Sequence, residues 1–270
     1  MTKDDKRKLT LARDMLLKVA ENTYNPKFKT LSKHEVLRAK IFRSENNTKP
    51  KKFMRYKRGT IVFIHFGINT GAEFSNSHFG IVLDKKDHPN KGKLTILPLT
   101  SKNGKDSVSI GKEVFSGIMN NAQKQIYEIQ KILNITQSIE RLHYSLPKPP
   151  DFIRPTEKVK DYDVWMDYYN RHDPEGKYVP VSNIMIRSWI QSDIDKINHL
   201  KQLYNSYNKV SYAKIDSITS VSKLKISKPI NDLDPIGRIQ VSEEVMDAID
   251  KAIAKKLLSG SWQRIDKKTE

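Results

Sequence analysis

Apolar positions near the start of the chain fall at helical spacing: Leu9, Ala12, Met15, Leu16 and Val19 recur every three or four residues. After a break at Asn25 and Pro26, Ser32 and Glu35 read as a capping box. Leu31 and Val36 supply the matching hydrophobic staple, and Leu37 and Ile41 continue the apolar face. The pattern predicts a helical hairpin. The stretch from Asn46 to Arg58 is basic and poor in apolar residues, which predicts a linker.

The texture then changes to short β-type runs: TIVFIHF (60–66), GIVLD (80–84), KLTILPL (93–99) and SVSIG (107–111). Gly, Asn, Asp and Pro separate them, and His88, Pro89, Asn90 and Gly92 read as a hairpin connection. Closely spaced short strands predict a small barrel or sandwich.

From residue 112 the period is helical again. Val114, Ile118, Ala122, Ile126, Ile129 and Leu133 open one long stripe that runs to Leu142. A proline- and aromatic-rich stretch follows, with LPKPPDF (146–152) and the cluster Tyr162, Trp165, Tyr168 and Tyr169. These rings suit either burial between helices or stacking on unpaired bases. A second helix is predicted from Ile186 to Tyr204, with Ile190, Ile194, Ile197 and Leu200 inward. β texture returns in VSYAKIDSITSVSKLKI. Ser242 then caps a final helix whose first turn carries Glu243 and Glu244, and Val245, Ile249, Ile253 and Leu257 mark its buried face.

Charge sharpens this picture. The chain has 49 Lys plus Arg against 31 Asp plus Glu, a net charge of +18. Residues 1–58 hold 18 basic and 6 acidic side chains, so two thirds of the surplus precedes the first strand. That asymmetry points to a polyanionic partner, because each neutralised phosphate releases counterions. Cysteine is absent, which excludes disulfides, thiolate zinc sites and cysteine nucleophiles. No run is long and apolar enough for a membrane span, and the N-terminus lacks a secretory core, so a cytoplasmic protein is expected.

Familiar catalytic signatures are missing: there is no P-loop, HExxH, GxSxG or histidine cluster with zinc spacing. What remains sits at strand ends: Glu73 and His78 in GAEFSNSHFG, Thr100 and Ser101 in PLTSKNGK, and Lys214 and Asp216 in YAKIDS. His65 alternates with apolar neighbours and reads as a structural histidine.

RGTIVFIHFG, the Gly71–Glu73 pair, HFGIVL and LTILPLTS resemble, in order and spacing, the opening strands of the MazF/PemK toxins. AKIDSITSVSKLKI is similar to that family's last strand pair, and LDPIGRIQVSEEVMDAIDKAIAKKL to its closing helix. The resemblance covers residues 57–111 and 209–258. It implies an α+β protein: an SH3-like barrel with a C-terminal helix, here enlarged by an N-terminal helical hairpin and an inserted helical pair. The expected division is 1–56 for the basic extension, 57–111 with 206–260 for the barrel, 112–205 for the insertion and 261–270 for a tail.

The resemblance also implies an activity: a metal-independent endoribonuclease in which the ribose 2′-hydroxyl of single-stranded RNA attacks its own phosphate, with no cofactor. It implies a homodimer and an antitoxin with an acidic tail. Where the family has an arginine five residues after its glutamate, this chain has His78, and where its PemK-like branch has a histidine before the glutamate, this chain has Ala72. His78 is thus expected to be the general acid or base. Thr100 and Ser101 would donate to phosphate, Asp216 would orient or share the proton, and Glu73, Lys214 and Lys225 would bind substrate. Lys225 stands where the family carries the arginine of an R-L pair. Two other readings use the same fold: a non-catalytic CcdB-like toxin, and a nucleic-acid-binding module without activity.

Overall fold

The computed structural model describes residues 1–21, 24–46, 51–144, 159–176 and 183–258, excluding the side chains of 142–144 and 183. The proline-rich run 146–152 and the tail 261–270 lie outside them. The protein is mixed α+β, with six α-helices and one open, antiparallel, six-stranded sheet among the described residues. The chain forms two compact units: residues 1–113, 209–228 and 236–270 carry the sheet, and residues 114–208 with 229–235 are helical.

The sheet runs β1 (Ile61–Gly67), β2 (Asn76–Val82), β3 (Lys93–Thr100), β5 (Ser211–Lys214), β4 (Ser107–Gly111). β6 (Thr219–Ser222) pairs with the first half of β3, from Lys93–Ser222 to Ile96–Thr219. Beyond β6, Ile226 bridges Ile64, and the Ser227 N–H donates to the Phe63 carbonyl at 2.9 Å. One apolar face collects Val62, Ile64 and Phe66 of β1, Val82 of β2, Leu94 and Ile96 of β3, and Val221 and Ile226. Gly80 lies among them because a Cβ there would stand 2.6 Å from Ile96 Cγ2 and 2.9 Å from Ile64 Cδ1.

α6 (Glu243–Leu257) starts as the sequence predicts. The Ser242 hydroxyl accepts the Val245 N–H at 3.3 Å, and Ile249 is fully buried. The N-terminal arm differs from expectation. α1 (Lys3–Glu21) forms, yet it buries no residue; Leu9 is 64% and Met15 61% exposed. α2 (Leu31–Glu45) begins before the expected capping box, with Thr30 at the cap position making no side-chain cap bond. The Thr30 hydroxyl donates instead to Asn76 Oδ1 at 2.6 Å, and Val36, 56% exposed, forms no staple. α2 buries Leu31 and His34.

The expected linker is pinned where it is described. The Phe53 N–H donates to the Pro89 carbonyl and the Tyr56 N–H to Asp87 Oδ2, both at 2.8 Å. Lys223 Nζ donates to Asp87 Oδ2 at 2.7 Å, to Asp87 Oδ1 at 2.8 Å and to the Met54 carbonyl at 3.0 Å. Both side chains of this ion pair are 1% exposed.

Among the described residues the helical unit has three helices where two were expected: α3 (Glu113–Tyr144), α4 (Tyr162–His172) and α5 (Asn183–Asn205). Residues 229–235, assigned to the barrel by sequence, belong with them. Its core joins Ile129, Ile132, Ile135 and Ile139 to Trp165, Tyr168, Tyr169, Ile186, Ile190 and Ile197. Trp165, Tyr168 and Tyr169 are therefore packing, not a base-stacking surface, while Tyr162 is half-buried. Trp165 stacks on Tyr169 at 5.7 Å and donates to Thr136 Oγ1 at 3.0 Å. Three buried carboxylates each accept a tyrosine hydroxyl: Asp193 from Tyr168, Asp173 from Tyr169 and Asp234 from Tyr204. This satisfies groups whose burial would otherwise be costly.

Candidate active site

Antiparallel pairing brings the end of β1, the start of β2 and the end of β3 to one rim of the sheet. His78 opposes Ile64 on β1. The β2–β3 pairing ends at Gly80–Pro98, two residues from His78 on β2 and two from Thr100 on β3. Thr100 in turn opposes Tyr212 on β5, and Tyr212 opposes Ser109 on β4. Directly opposed residues project to the same side of a sheet, about 4.8 Å apart from strand to strand. Thr100, Tyr212 and Ser109 thus form a polar row, with His78 at the same rim on β2.

His78 is half-buried. Burial pushes its pKa below the ordinary 6.5, while hydrogen bonds to the Leu99 and Ser75 backbones oppose the shift. The imidazole is thus neutral at pH 7, the form that accepts a proton. Phe74 meets its ring edge-on at 4.6 Å and meets Phe66 at 5.1 Å, which supports the imidazole from the β1 side. Thr100 is half-buried and its Oγ1 accepts the Lys102 N–H at 3.2 Å, a turn that leaves Ser101 exposed at the rim.

The loop from β1 to β2 is internally bonded. Asn69 Nδ2 donates to the Phe74 carbonyl at 2.7 Å, and Ser75 Oγ to the Glu73 carbonyl at 3.0 Å. Glu73 is exposed on it. Asn76, at the loop end, has a positive φ of 74°. Lys225 Nζ lies 3.4 Å from the Phe66 carbonyl, at the end of β1. His78, Thr100, Ser101, Glu73 and Lys225 therefore belong to one rim.

Lys214 and Asp216 do not join them. Between the pairs Leu99–Ala213 and Ile96–Thr219, β3 advances three residues while its partner passes six. The surplus forms the 3-10 turn Ile215–Ser217, which carries Asp216 out of the ladder. Asp216 there pairs with Lys214 at 3.6 Å and accepts from Ser217 Oγ at 2.9 Å. The turn bonds to β4's approach, with the Ile215 N–H on the Asp106 carbonyl at 3.0 Å. Asp216 is thus no partner of His78, contrary to expectation.

Sequence reasoning missed Tyr212 and Ser109. Both lie in runs read as strand, and only pairing reveals that they extend the row. His65 is structural as expected: Nδ1 is 2.8 Å from Ser77 Oγ and Nε2 2.8 Å from Ser227 Oγ. Among the described residues no group of three or more His, Asp or Glu side chains is placed to hold a metal ion. No described helix is long and apolar enough to cross a membrane. No protein-family model matches the chain, and no curated protein matches it.

Proposed function

We propose that the chain is a metal-independent endoribonuclease of the MazF/PemK type, a toxin that cuts single-stranded RNA by 2′-hydroxyl attack. The observation that carries this reading is that half-buried His78, hydrogen-bonded to the Leu99 backbone and with its pKa pushed down by burial, shares one rim with Thr100, the residue after Leu99. His78 takes the proton of the attacking 2′-hydroxyl; as the 2′-oxygen bonds to phosphorus the P–O5′ bond breaks, and water protonates the leaving 5′-oxygen. Thr100, Ser101 and Tyr212 donate to the phosphate oxygens as charge develops, and Lys225 adds a cation. Asp216 and Lys214 have no part in this version. An SH3-like barrel is the finer reading of the sheet, supported by the return of Ile226 to Ile64 after β6. A homodimer, an antitoxin with an acidic tail and a cytoplasmic site of action belong to the same reading.

The test is incubation with a long unpaired RNA in EDTA, followed by end mapping. Cleavage should leave 2′,3′-cyclic phosphate and 5′-hydroxyl ends, and His78→Ala should slow it by about 10²–10⁴-fold. A variant within threefold of wild type, or cleavage abolished by chelator, rejects the assignment. One observation favours a second reading, a nucleic-acid-binding protein without activity: the His78 ring bonds to the Leu99 and Ser75 backbones. On that reading RNA is bound with steep salt dependence and stays intact.

A further inference from the structure

The N-terminal arm carries positive charge that the rim does not use. Lys33, Lys40 and Arg43 are spaced to share one side of α2, and Lys29 precedes them by one turn. All four are exposed. Glu35 turns aside to Arg38 at 2.7 Å, and the spacing sets Glu45 on another side of the helix. α1 is different, because Lys8 is paired with Asp4 at 2.7 Å and Arg13 with Asp14 at 2.8 Å. Among the described residues Lys29, Lys33, Lys40 and Arg43 make no ion pair, and cations in a line are a phosphate-binding arrangement.

The line starts beside the candidate site. Lys27 Nζ donates to the Gly71 carbonyl at 2.9 Å, and Thr30 bonds Asn76 at 2.6 Å. Both contacts fall on the loop that carries Glu73 and leads into His78. From Lys29 to Arg43 the backbone rises about 20 Å, enough for the shorter single-stranded sites of about 4 nucleotides. Tyr24, 95% exposed, stands just before Lys29 and offers an aromatic face on which an unpaired base can stack.

We infer that Lys29, Lys33, Lys40 and Arg43 form a phosphate track that leads single-stranded RNA to the His78 rim, with Tyr24 as a stacking platform at its near end. The inference rests on the RNA reading above and gives that reading a second, separable surface.

The test uses the full chain with His78→Ala in EDTA, so that the probe stays intact. Anisotropy of a dye-labelled, unstructured 16-nucleotide RNA is measured across salt concentrations. Replacing the four track residues by Gln should weaken binding more than tenfold at about 100 mM salt and reduce the log–log salt slope by about 0.7 per cation removed. Tyr24→Ala should weaken the single strand at least about fivefold and leave a duplex unchanged. The control replaces Lys3, Lys6, Lys8 and Lys18 of α1 by Gln. Equal losses in control and track variants, or an unchanged Kd in the track variant, overturn the inference. So does a track variant that loses phosphatidylserine vesicles but keeps RNA. Cleavage by the His78 protein with unaltered binding in the track variant rejects the track alone. Track-dependent binding without any cleavage rejects the nuclease alone.

Discussion

Lys223→Met removes one half of an ion pair that is sealed from water. Lys223 meets both Asp87 oxygens at 2.7 and 2.8 Å, and both side chains are 1% exposed. Deleting one partner of a buried pair costs about 3–5 kcal/mol, because the other charge is left behind. Asp87 keeps the N–H donors of Tyr56 and His88, each at 2.8 Å, so the cost belongs near the lower end, about 3 kcal/mol. That is roughly a hundredfold rise in opening of the sheet unit. Trp165 and Trp189 lie in the helical unit, so their fluorescence is the wrong reporter. Amide exchange at Gly59, Ile61 and Val82, which bond the Val82, Ile239 and Thr60 carbonyls, reads the event directly. Replacing both residues, Lys223→Met with Asp87→Leu, should recover only part of the loss, since it removes the stranded charge but leaves the Tyr56 and His88 N–H groups without their acceptor. Burial alone would raise the Asp87 pKa, but bonds from Lys223 and from the Tyr56 and His88 amides hold it below the ordinary 3.8. That stabilisation is complete above 3.8 and is lost as pH falls through the lowered value; Lys223→Met should shrink this acid limb. Exchange within threefold of wild type in Lys223→Met would refute the argument.

Two pH predictions follow from the histidines. With His78 as base, cleavage should fall as pH drops through a midpoint below 6.5, the direction in which burial shifts it; a midpoint above 6.5 contradicts this role. His172 goes the other way, its pKa raised chiefly by a hydrogen bond to Asp193 at 3.1 Å. Its contribution to the helical unit is complete below 6.5 and lost as pH rises through the raised value. Urea melts followed by tryptophan fluorescence should show that loss, and His172→Gln should abolish the pH dependence; a dependence that persists in the variant removes His172 as its source.

Much of the sheet could be read from alternation. TIVFIHF, KLTILPL and SVSIG lie within one residue of β1, β3 and β4 at each end. β2 starts at Asn76, earlier than the apolar run at Gly80, because Asn76, Ser77 and His78 pair through backbone groups that hydrophobicity does not register. Thr100 ends β3 and Ser101 follows it, as the strand pattern in the sequence marks, whereas His78 is the third residue of β2 and not its start. Asp216 was not legible, because a 3-10 turn displaces it and only the pairing on both sides reveals the surplus. Periodicity marked α1 as helical but is silent about what lies against it, and its apolar stripe is in solvent. The Lys223–Asp87 pair joins residues 136 apart, beyond any local pattern.

The surplus residues at Ile215–Ser217 also uncouple the two strands they join. Side chains along a continuous strand alternate strictly, so Ala213 on β5 would dictate which way Val221 points. The excursion cancels that rule. β6 instead takes its facing from its own pattern, with Val221 buried in the apolar core and Thr219 and Ser220 exposed. A residue inserted in this turn would therefore be absorbed there, leaving Val221 in the core and β6 facing as it does now.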